Sequence, residues 1–394
     1  MSMCGHPIAI GNQHKSGDTM LVSFGVGNFL SFKKHQEISF ESSSENGEIG
    51  SSLMIFGPNG SGKTNLILAF TYCLERMGMY DHGMCSHLTH HEENRVLSHN
   101  LQNSMSDDPV ASFRLGLKTS EGIIYYEFTV DLSTNRIEDE IVYSFETTFD
   151  DSLFYQRCRN SLEISGKTME LNPDDYGHKL LVEDISLLSD ELLSVANVIK
   201  ESLYGTVITT YDVGYIKVYD KMIKDCQKIK FSESDIYYCS PEDAHRLSGM
   251  LGFIGIDKVE FKPLSVEKQD SGMNSGFFIL PNEMFFYDKH DDYIVQFREE
   301  GFDRLKSFSE LSAGSQRVIS IIIAAFEAGY IFKRETDLKT QDVPLNRNVI
   351  PTLLFVVDEM CYSLHPRIAK DLLKIIKEIY SGKMTLQMIY TVHN

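Results

Sequence analysis

The sequence predicts an α/β fold with a parallel sheet at its centre. Residues Gly57-Pro58-Asn59-Gly60-Ser61-Gly62-Lys63-Thr64 spell G-x-x-x-x-G-K-[ST] between an apolar run and a helical pattern. The run Pro351 to Val357 is largely apolar and ends in Asp358-Glu359, as a parallel strand buried on both faces would. A third apolar-rich run, Leu386 to Tyr390, leads into Thr391-Val392-His393. Open α/β sheets bind ligands beyond the carboxyl ends of their strands, where the glycines, acids and histidine of these runs fall.

Ser52 to Phe56 reads as a short buried strand before the glycine-rich turn. From Lys63 to about Met77 the apolar residues Leu66, Ile67, Ala69, Phe70, Cys73, Leu74 and Met77 recur at helical spacing. Glycines let the backbone curl so that its N–H groups point inward at phosphate oxygens, and the helix N-terminus adds partial positive charge. The candidate phosphate-binding residues are Asn59, Gly60, Ser61, Gly62, Lys63, Thr64 and Asn65. Lys63 is expected to reach the β- and γ-phosphates of a bound nucleotide, and the Thr64 hydroxyl to sit on Mg²⁺. Asp358 is expected to hold the same Mg²⁺, directly or through water, and Glu359 to orient or deprotonate the attacking water.

Leu311-Ser312-Ala313-Gly314-Ser315-Gln316-Arg317 precedes the apolar run Val318 to Phe326. A serine N-cap, small residues and an apolar helix make a second helix N-terminus suited to an anion. His393, at the end of its strand, is a candidate contact for a γ-phosphate.

These four motifs in this order resemble the ATP-binding-cassette type of ATPase head. The likeness is nearest to the Rad50/RecF/SMC-like branch and to predicted bacterial ATPases of the abortive-infection and overcoming-lysogenization (OLD-like) type. Ser312 and Gly314 match the signature motif, while Ala313 and Ser315 depart from its common LSGGQ form. Asp358-Glu359 look like Walker B plus the catalytic glutamate, and His393 looks like the switch histidine. Ser363-Leu364-His365-Pro366 falls where the D-loop does, and Met20 to Phe32, with Asn28-Phe29-Leu30-Ser31-Phe32, is similar to an "NFRSF" start. A Q-loop glutamine is not evident, and Gln156 is a poor match for one.

The resemblance implies a P-loop NTPase head of the ABC type, with an antiparallel β lobe and a mainly helical insertion. It implies ATP hydrolysis, slow or regulated. Ser312, Gly314 and Ser315 of one head would cap ATP held by the P-loop of another, so a homodimer or higher homo-oligomer would be the working unit. OLD-like proteins carry a nuclease after the ATPase. No carboxylate cluster of that kind stands out in this sequence, so the resemblance implies a separately encoded effector, of which a nuclease is the natural kind, in anti-phage defence. The chief alternative is a DNA-repair or chromosome ATPase of RecF or Rad50 type. A transporter's nucleotide-binding subunit is argued against by the antiparallel-rich first lobe, the NFLSF-like start and the Ser363-Leu364-His365-Pro366 element.

Composition bounds the rest. At 394 residues with 42% hydrophobic content the chain can bury a full core, as two or so domains or as one with an insertion. Its 7 cysteines are odd in number, scattered and form no CxxC pair, which points to a reducing compartment, the cytoplasm. No apolar run approaches the ~18 residues of a membrane span. Met1 to Asp18 lacks the basic start of a signal peptide and is expected to be a loose leader. The formal charge of −19 disfavours non-specific nucleic-acid binding, which depends on neutralising phosphates, and leaves direct binding an open question. Lys370, Lys374, Lys377 and Lys383, after the Asp-Glu strand, read first as a solvated helix face.

The expected organisation is a leader at 1–19, a first lobe at 20–165, the insertion at 166–300 and a second lobe at 301–394. Alternating aromatic and β-branched residues over 110–165 predict an antiparallel sheet, with turns at 119–122 and 133–135. Ser189 to Leu203 and Tyr215 to Ile229 have the spacing of amphipathic helices, and Ser240-Pro241 that of a helix start. Short strands return over 257–300, among them Gly276 to Leu280 and Met284 to Tyr287. Asp81, His82, Cys85, His87, His90, His91 and His99 are dense in ligand-type residues but match no zinc spacing, so a polar loop is the first expectation.

Overall fold

A computed structural model describes residues 19–40, 52–79, 101–119 except 104, 122–145, 151–182 except 165–166, 190–203, 206–209, 215–217, 236–264, 275–279, 283–287, 291–338, 352–360, 364–380 and 386–393. The leader, the polar Ser42–Gly47 stretch and the 81–99 histidine-rich stretch lie outside these residues.

A five-stranded sheet forms the centre, in the order β11-β10-β17-β18-β3. Its strands are β3 (Ser52–Gly57), β10 (Thr206–Thr209), β11 (Tyr215–Lys217), β17 (Leu353–Val357) and β18 (Leu386–His393). All pairs are parallel except the β10–β11 hairpin. The apolar run of β17 lies between two neighbours and is buried throughout. Leu354 and Val356 enter one hydrophobic core, while Leu353, Phe355 and Val357 enter the other. That two-residue alternation is what a strand covered on both faces produces. Each fully buried Leu, Ile or Phe contributes roughly 1.5–3 kcal/mol.

The first core lies under an eight-stranded antiparallel sheet ordered β2-β1-β4-β5-β6-β7-β8-β9. These strands are β1 (Met20–Gly27), β2 (Gln36–Ser39), β4 (Val110–Lys118), β5 (Ile123–Asp131), β6 (Arg136–Phe145), β7 (Asp151–Cys158), β8 (Ser161–Ile164) and β9 (Lys167–Glu170). Helices α1 (Lys63–Arg76) and α2 (Asp190–Leu203) fill the space beneath through Ile67, Phe70, Leu74, Val195 and Ile199. The second core joins the opposite face of the central sheet to α3 (Pro241–Met250), α4 (Ala313–Leu338), α5 (Pro366–Tyr380) and a five-stranded antiparallel sheet. That sheet runs β12 (Ile236–Tyr238), β14 (Gly276–Ile279), β15 (Met284–Tyr287), β16 (Asp292–Glu299), β13 (Ile256–Pro263). From Val318 to Phe326 nearly every side chain of α4 is buried, the mark of a core helix apolar all round.

Three expectations change. The P-loop strand is not buried: β3 forms an edge of the central sheet, with Met54 and Phe56 55% and 65% exposed and Leu53 and Ile55 turned to the core. Tyr215–Lys217 is a strand rather than the start of a helix, because it pairs with β10 beside the apolar β17, and the rest of that expected helix lies outside the described residues. Among the described residues 166–300 is mixed, and helix forms as expected over Asp190–Leu203 and Pro241–Met250. The antiparallel sheet also continues beyond 165, to Glu170.

Two polar networks lock the layers. Gln387 on β18 donates its side-chain amide to Leu21 O at 2.9 Å and accepts Leu21 N–H at 2.8 Å, joining β1 to the central sheet. Glu140 and Arg157, both fully buried, lie 3.7 Å apart. Glu140 accepts from the hydroxyls of Tyr126 and Tyr155 at 2.9 and 2.8 Å and from the amide of Leu181 at 2.8 Å. Arg157 donates to the carbonyls of Arg159 and Lys179, each at 2.7 Å, and to that of Tyr176. Burial pushes the Glu140 carboxyl above its ordinary range and, helped by the Glu140 charge, holds both tyrosine hydroxyls in their donating form. The network pins residues 176–182, on the way into α2 and β10, against the large sheet.

Candidate functional site

The ends of β3, β17 and β18 meet at one edge of the central sheet. Gly57 lies opposite His393, and Val357 opposite Tyr390. The glycine-rich loop, the Asp358-Glu359 pair and the backbone of His393 therefore share the carboxyl edge, where an α/β sheet receives ligands.

Gly60 and Gly62 adopt φ of 75° and 91°, the left-handed region that glycine enters without penalty. Asn59, Gly60 and Ser61 form the exposed crest of the loop, while Thr64 and Asn65 are half-buried in the first turn of α1. Lys63 is buried, and its ammonium donates to the carbonyls of Gly57 at 2.8 Å and Pro58 at 2.9 Å, bracing the loop from inside. A second brace comes from the Asn28–Phe32 turn. Asn28 and Leu30 hold φ of 50° and 49°. Asn28 donates to the carbonyls of Asp108 and Val110, and Asn103 donates to that of Leu30. The tip of this turn presses on the loop: a Cβ at Gly62 would lie 2.5 Å from Ser31 Oγ.

Asp358 is buried and Glu359 half-buried. Thr391 on β18 donates its hydroxyl to Asp358 Oδ1 at 2.6 Å and accepts the Glu359 amide at 2.7 Å. The Met360 amide donates to Thr391 O at 3.0 Å. Glu359 holds a φ of 50°, costly for a residue with a side chain, so these bonds hold a strained turn in place. Arg317 adds a fourth tie, donating to Asp358 O at 2.5 Å.

Arg317 belongs to the first turns of α4, which begins at the third motif. Ser312 caps that helix, its Oγ accepting the Ser315 amide at 3.1 Å and lying 2.9 Å from Ser315 Oγ. Gln316 donates its side-chain amide to Leu311 O at 2.9 Å. Ser312 is exposed, Ser315 half-buried and Gly314 buried. Among the described residues no hydrogen bond joins Ser312, Gly314 or Ser315 to the chain's own P-loop.

The donor set suits ATP with Mg²⁺. A glycine-rich nest at a helix N-terminus with a lysine fits phosphate oxygens. The Thr64 hydroxyl and the Asp358 carboxylate are the hard oxygen donors that Mg²⁺ prefers, and Oδ1 is the oxygen of Asp358 that Thr391 already engages. No group of three or more His, Cys, Asp or Glu that would hold a metal by itself occurs among the described residues. Gln156 is an exposed mid-strand residue of the large sheet, paired with Ile141 and Glu163.

Thr391 and Ser31 carry no assignment from sequence, although both lie inside quoted motifs. A hydroxyl two residues before the strand-end histidine was the available signal for Thr391.

A family described as "AAA domain, putative AbiEii toxin, Type IV TA system" matches residues 52–394. No curated protein matches the chain. Among solved structures, the SMC head domain from Thermotoga maritima is similar over 95% of this chain and 89% of its own, at 14% identity and a TM-score of 0.37. A SmcHead bound to the C-winged helix domain of ScpA is similar over 95% and 90%, at 14% identity and a TM-score of 0.44. At these values the superpositions are loose, and the fold is read from the chain's own strands and P-loop. No helix among the described residues is long and apolar enough to cross a membrane.

Proposed function

This chain belongs to the AAA-domain family described as "putative AbiEii toxin, Type IV TA system", and from that premise we propose that it is an ATP-binding and ATP-hydrolysing subunit of an abortive-infection type of anti-phage system. It works in the cytoplasm as paired heads, each P-loop nucleotide being capped by the partner copy, and controls a separately encoded effector, a nuclease being the kind we favour.

The observation that carries this reading is the meeting of the P-loop, Asp358-Glu359 and the end of β18 on one sheet edge. Lys63 and the loop amides bind and orient the triphosphate. Thr64 and Asp358 would hold Mg²⁺, which supplies charge neutralisation at the phosphates when bound. Glu359, aimed by its strained backbone and by Thr391, orients the attacking water and takes its proton. His393 is assigned the γ-phosphate contact, in support of which its backbone stands level with Gly57 at the strand end. Support for capping in trans is the exposed Ser312 at the N-terminus of a long buried helix, a second set of donors and dipole charge facing outward.

The test is the solution mass of Glu359→Gln with and without Mg·ATP, alongside phosphate release by the wild type and by Lys63→Ala. Hydrolysis by the wild type, none by either variant, and a doubled mass of Glu359→Gln on adding ATP are expected. Full phosphate release by Lys63→Ala would overturn the site, and unchanged mass with ATP bound would overturn the pairing.

A further inference from the structure

The carbonyl of Asp358 and the amide of Glu359 are the two ends of one peptide group, and each end is held by a different element. Arg317 on α4 donates to Asp358 O at 2.5 Å. Thr391 on β18 accepts the Glu359 amide at 2.7 Å. In a trans peptide these two groups point in opposite directions, so α4 and β18 grip the unit from opposite sides. The bonds join into one chain. It runs from the Arg317 guanidinium through the peptide group to the Thr391 hydroxyl and ends on Asp358 Oδ1, which that hydroxyl meets at 2.6 Å. Each donor in such a chain polarises the next. This one starts at a permanent positive charge, where hydrogen bonds are strongest.

The grip matters because this peptide has another place to go. Glu359 holds a φ of 50°, in the left-handed region that a side chain disfavours. Turning the one peptide group half a revolution between its flanking Cα atoms would bring that φ to about −130°, in the broad β region, and leave the chain on either side almost in place. The turn would carry the carbonyl away from Arg317 and the amide away from Thr391, and would shift the backbone from which the Glu359 side chain leaves. Thr391 holds only the amide end, because its hydroxyl proton is committed to Asp358. The carbonyl end falls to Arg317, whose neighbours Val318, Ile319, Ile321, Ile322 and Ile323 anchor α4 in the core.

We propose that Arg317 is a positioning residue for hydrolysis. It locks the Asp358–Glu359 peptide in its strained orientation and so holds Glu359 toward the attacking water, a role that rests on the reading of Glu359 given under the proposed function. Arg317 touches neither the nucleotide nor the water in this scheme. It acts through the peptide that joins the Mg²⁺-holding acid to the water-orienting acid, and its loss frees that peptide to relax.

The test compares the full chain with Arg317→Met, which keeps an unbranched stem without donors, and Arg317→Lys, which keeps a charged donor. In Arg317→Met, kcat for phosphate release should fall about tenfold or more while KM for ATP stays within about twofold, the split that marks an interaction used in the transition state. Arg317→Lys should recover part of that loss. Without nucleotide, hydrogen exchange over Val357–Met360 should show one amide at least ~tenfold faster in Arg317→Met, with Leu353–Val356 unchanged. Wild-type kcat in Arg317→Met would overturn the proposal, as would a fall in kcat matched by an equal rise in KM. Unchanged exchange would overturn the lock itself. Absence of phosphate release by the wild type would instead overturn the hydrolytic reading of Glu359, and the exchange comparison would still decide whether Arg317 locks the peptide.

Discussion

The hydroxyl of Thr391 donates to the carboxylate of Asp358 at 2.6 Å, across the interface of two parallel strands. Because the same oxygen accepts the Glu359 amide, one side chain holds the Asp358 carboxylate and the Glu359 backbone together. Thr391→Val keeps the shape and strand preference but removes the hydroxyl from the buried Asp358 carboxylate and from the half-buried Glu359 amide, at about 1–3 kcal/mol. We expect at least a tenfold fall in kcat with a smaller change in KM for ATP, and recovery in Thr391→Ser. A valine variant with wild-type kcat would remove the orienting role.

Glu359 should show a trade between stability and turnover. Its left-handed backbone costs about 1–2 kcal/mol that glycine avoids, offset in part by glycine's freer unfolded chain. Glu359→Gly is therefore expected to match or exceed the wild-type unfolding midpoint while losing phosphate release. Clear destabilisation in thermal denaturation would show that contacts of the Glu359 side chain outweigh the strain.

Gly62→Ala meets two obstacles, the φ of 91° and the Ser31 hydroxyl 2.5 Å from the new Cβ. Nucleotide affinity, read by titration with a fluorescent ATP analogue, should fall at least tenfold. Adding Ser31→Gly should recover only part, since it clears the contact and leaves the backbone penalty. Complete recovery would place the whole cost on Ser31.

Arg157→Met removes one partner of a buried pair and strips the carbonyls of Tyr176, Lys179 and Arg159 of their donor. A loss of about 3–5 kcal/mol in urea denaturation is expected. A change below 1 kcal/mol in that midpoint analysis would mean that the pair adds little to the attachment of 176–182.

Capping in trans has its own signature. Ser312→Arg and Lys63→Ala should each lack ATPase activity as pure proteins. Mixed in equal amounts, they should regain about a quarter of the wild-type rate if two-fold dimers pair at random, because each mixed dimer holds one intact composite site. No recovery after confirmed subunit exchange would exclude shared sites.

Much of this was legible in the sequence because the signals were local. The P-loop carries its own backbone requirements in its glycines, and the apolar run before Asp358 could only be satisfied between two strands. The helices at Asp190–Leu203 and Pro241–Met250 stood out by periodicity and by the Ser240-Pro241 start. What escaped depends on partners far away in the chain. Tyr215–Lys217 has helical spacing around it, yet is drawn into a hairpin on β10. The exposure of Met54 and Phe56 follows from the place of β3 in the strand order, which its composition does not encode. Glu140 and Arg157 alternate with ordinary residues in their strands, and nothing nearby marks them as buried. Thr391 gains its importance from an aspartate on another strand.

The sheet register also dictates when the site can exist. Ser52 pairs with Met388, and Leu21 is held by Gln387, contacts that span 336 and 366 positions. Leu386–His393 must therefore be made before the phosphate loop gains a neighbouring strand or Glu359 its anchor. Such long-range closure is slow in folding, so the phosphate loop is made long before its strand is paired. Synthesis interrupted before that point leaves the P-loop strand without its neighbour in the central sheet.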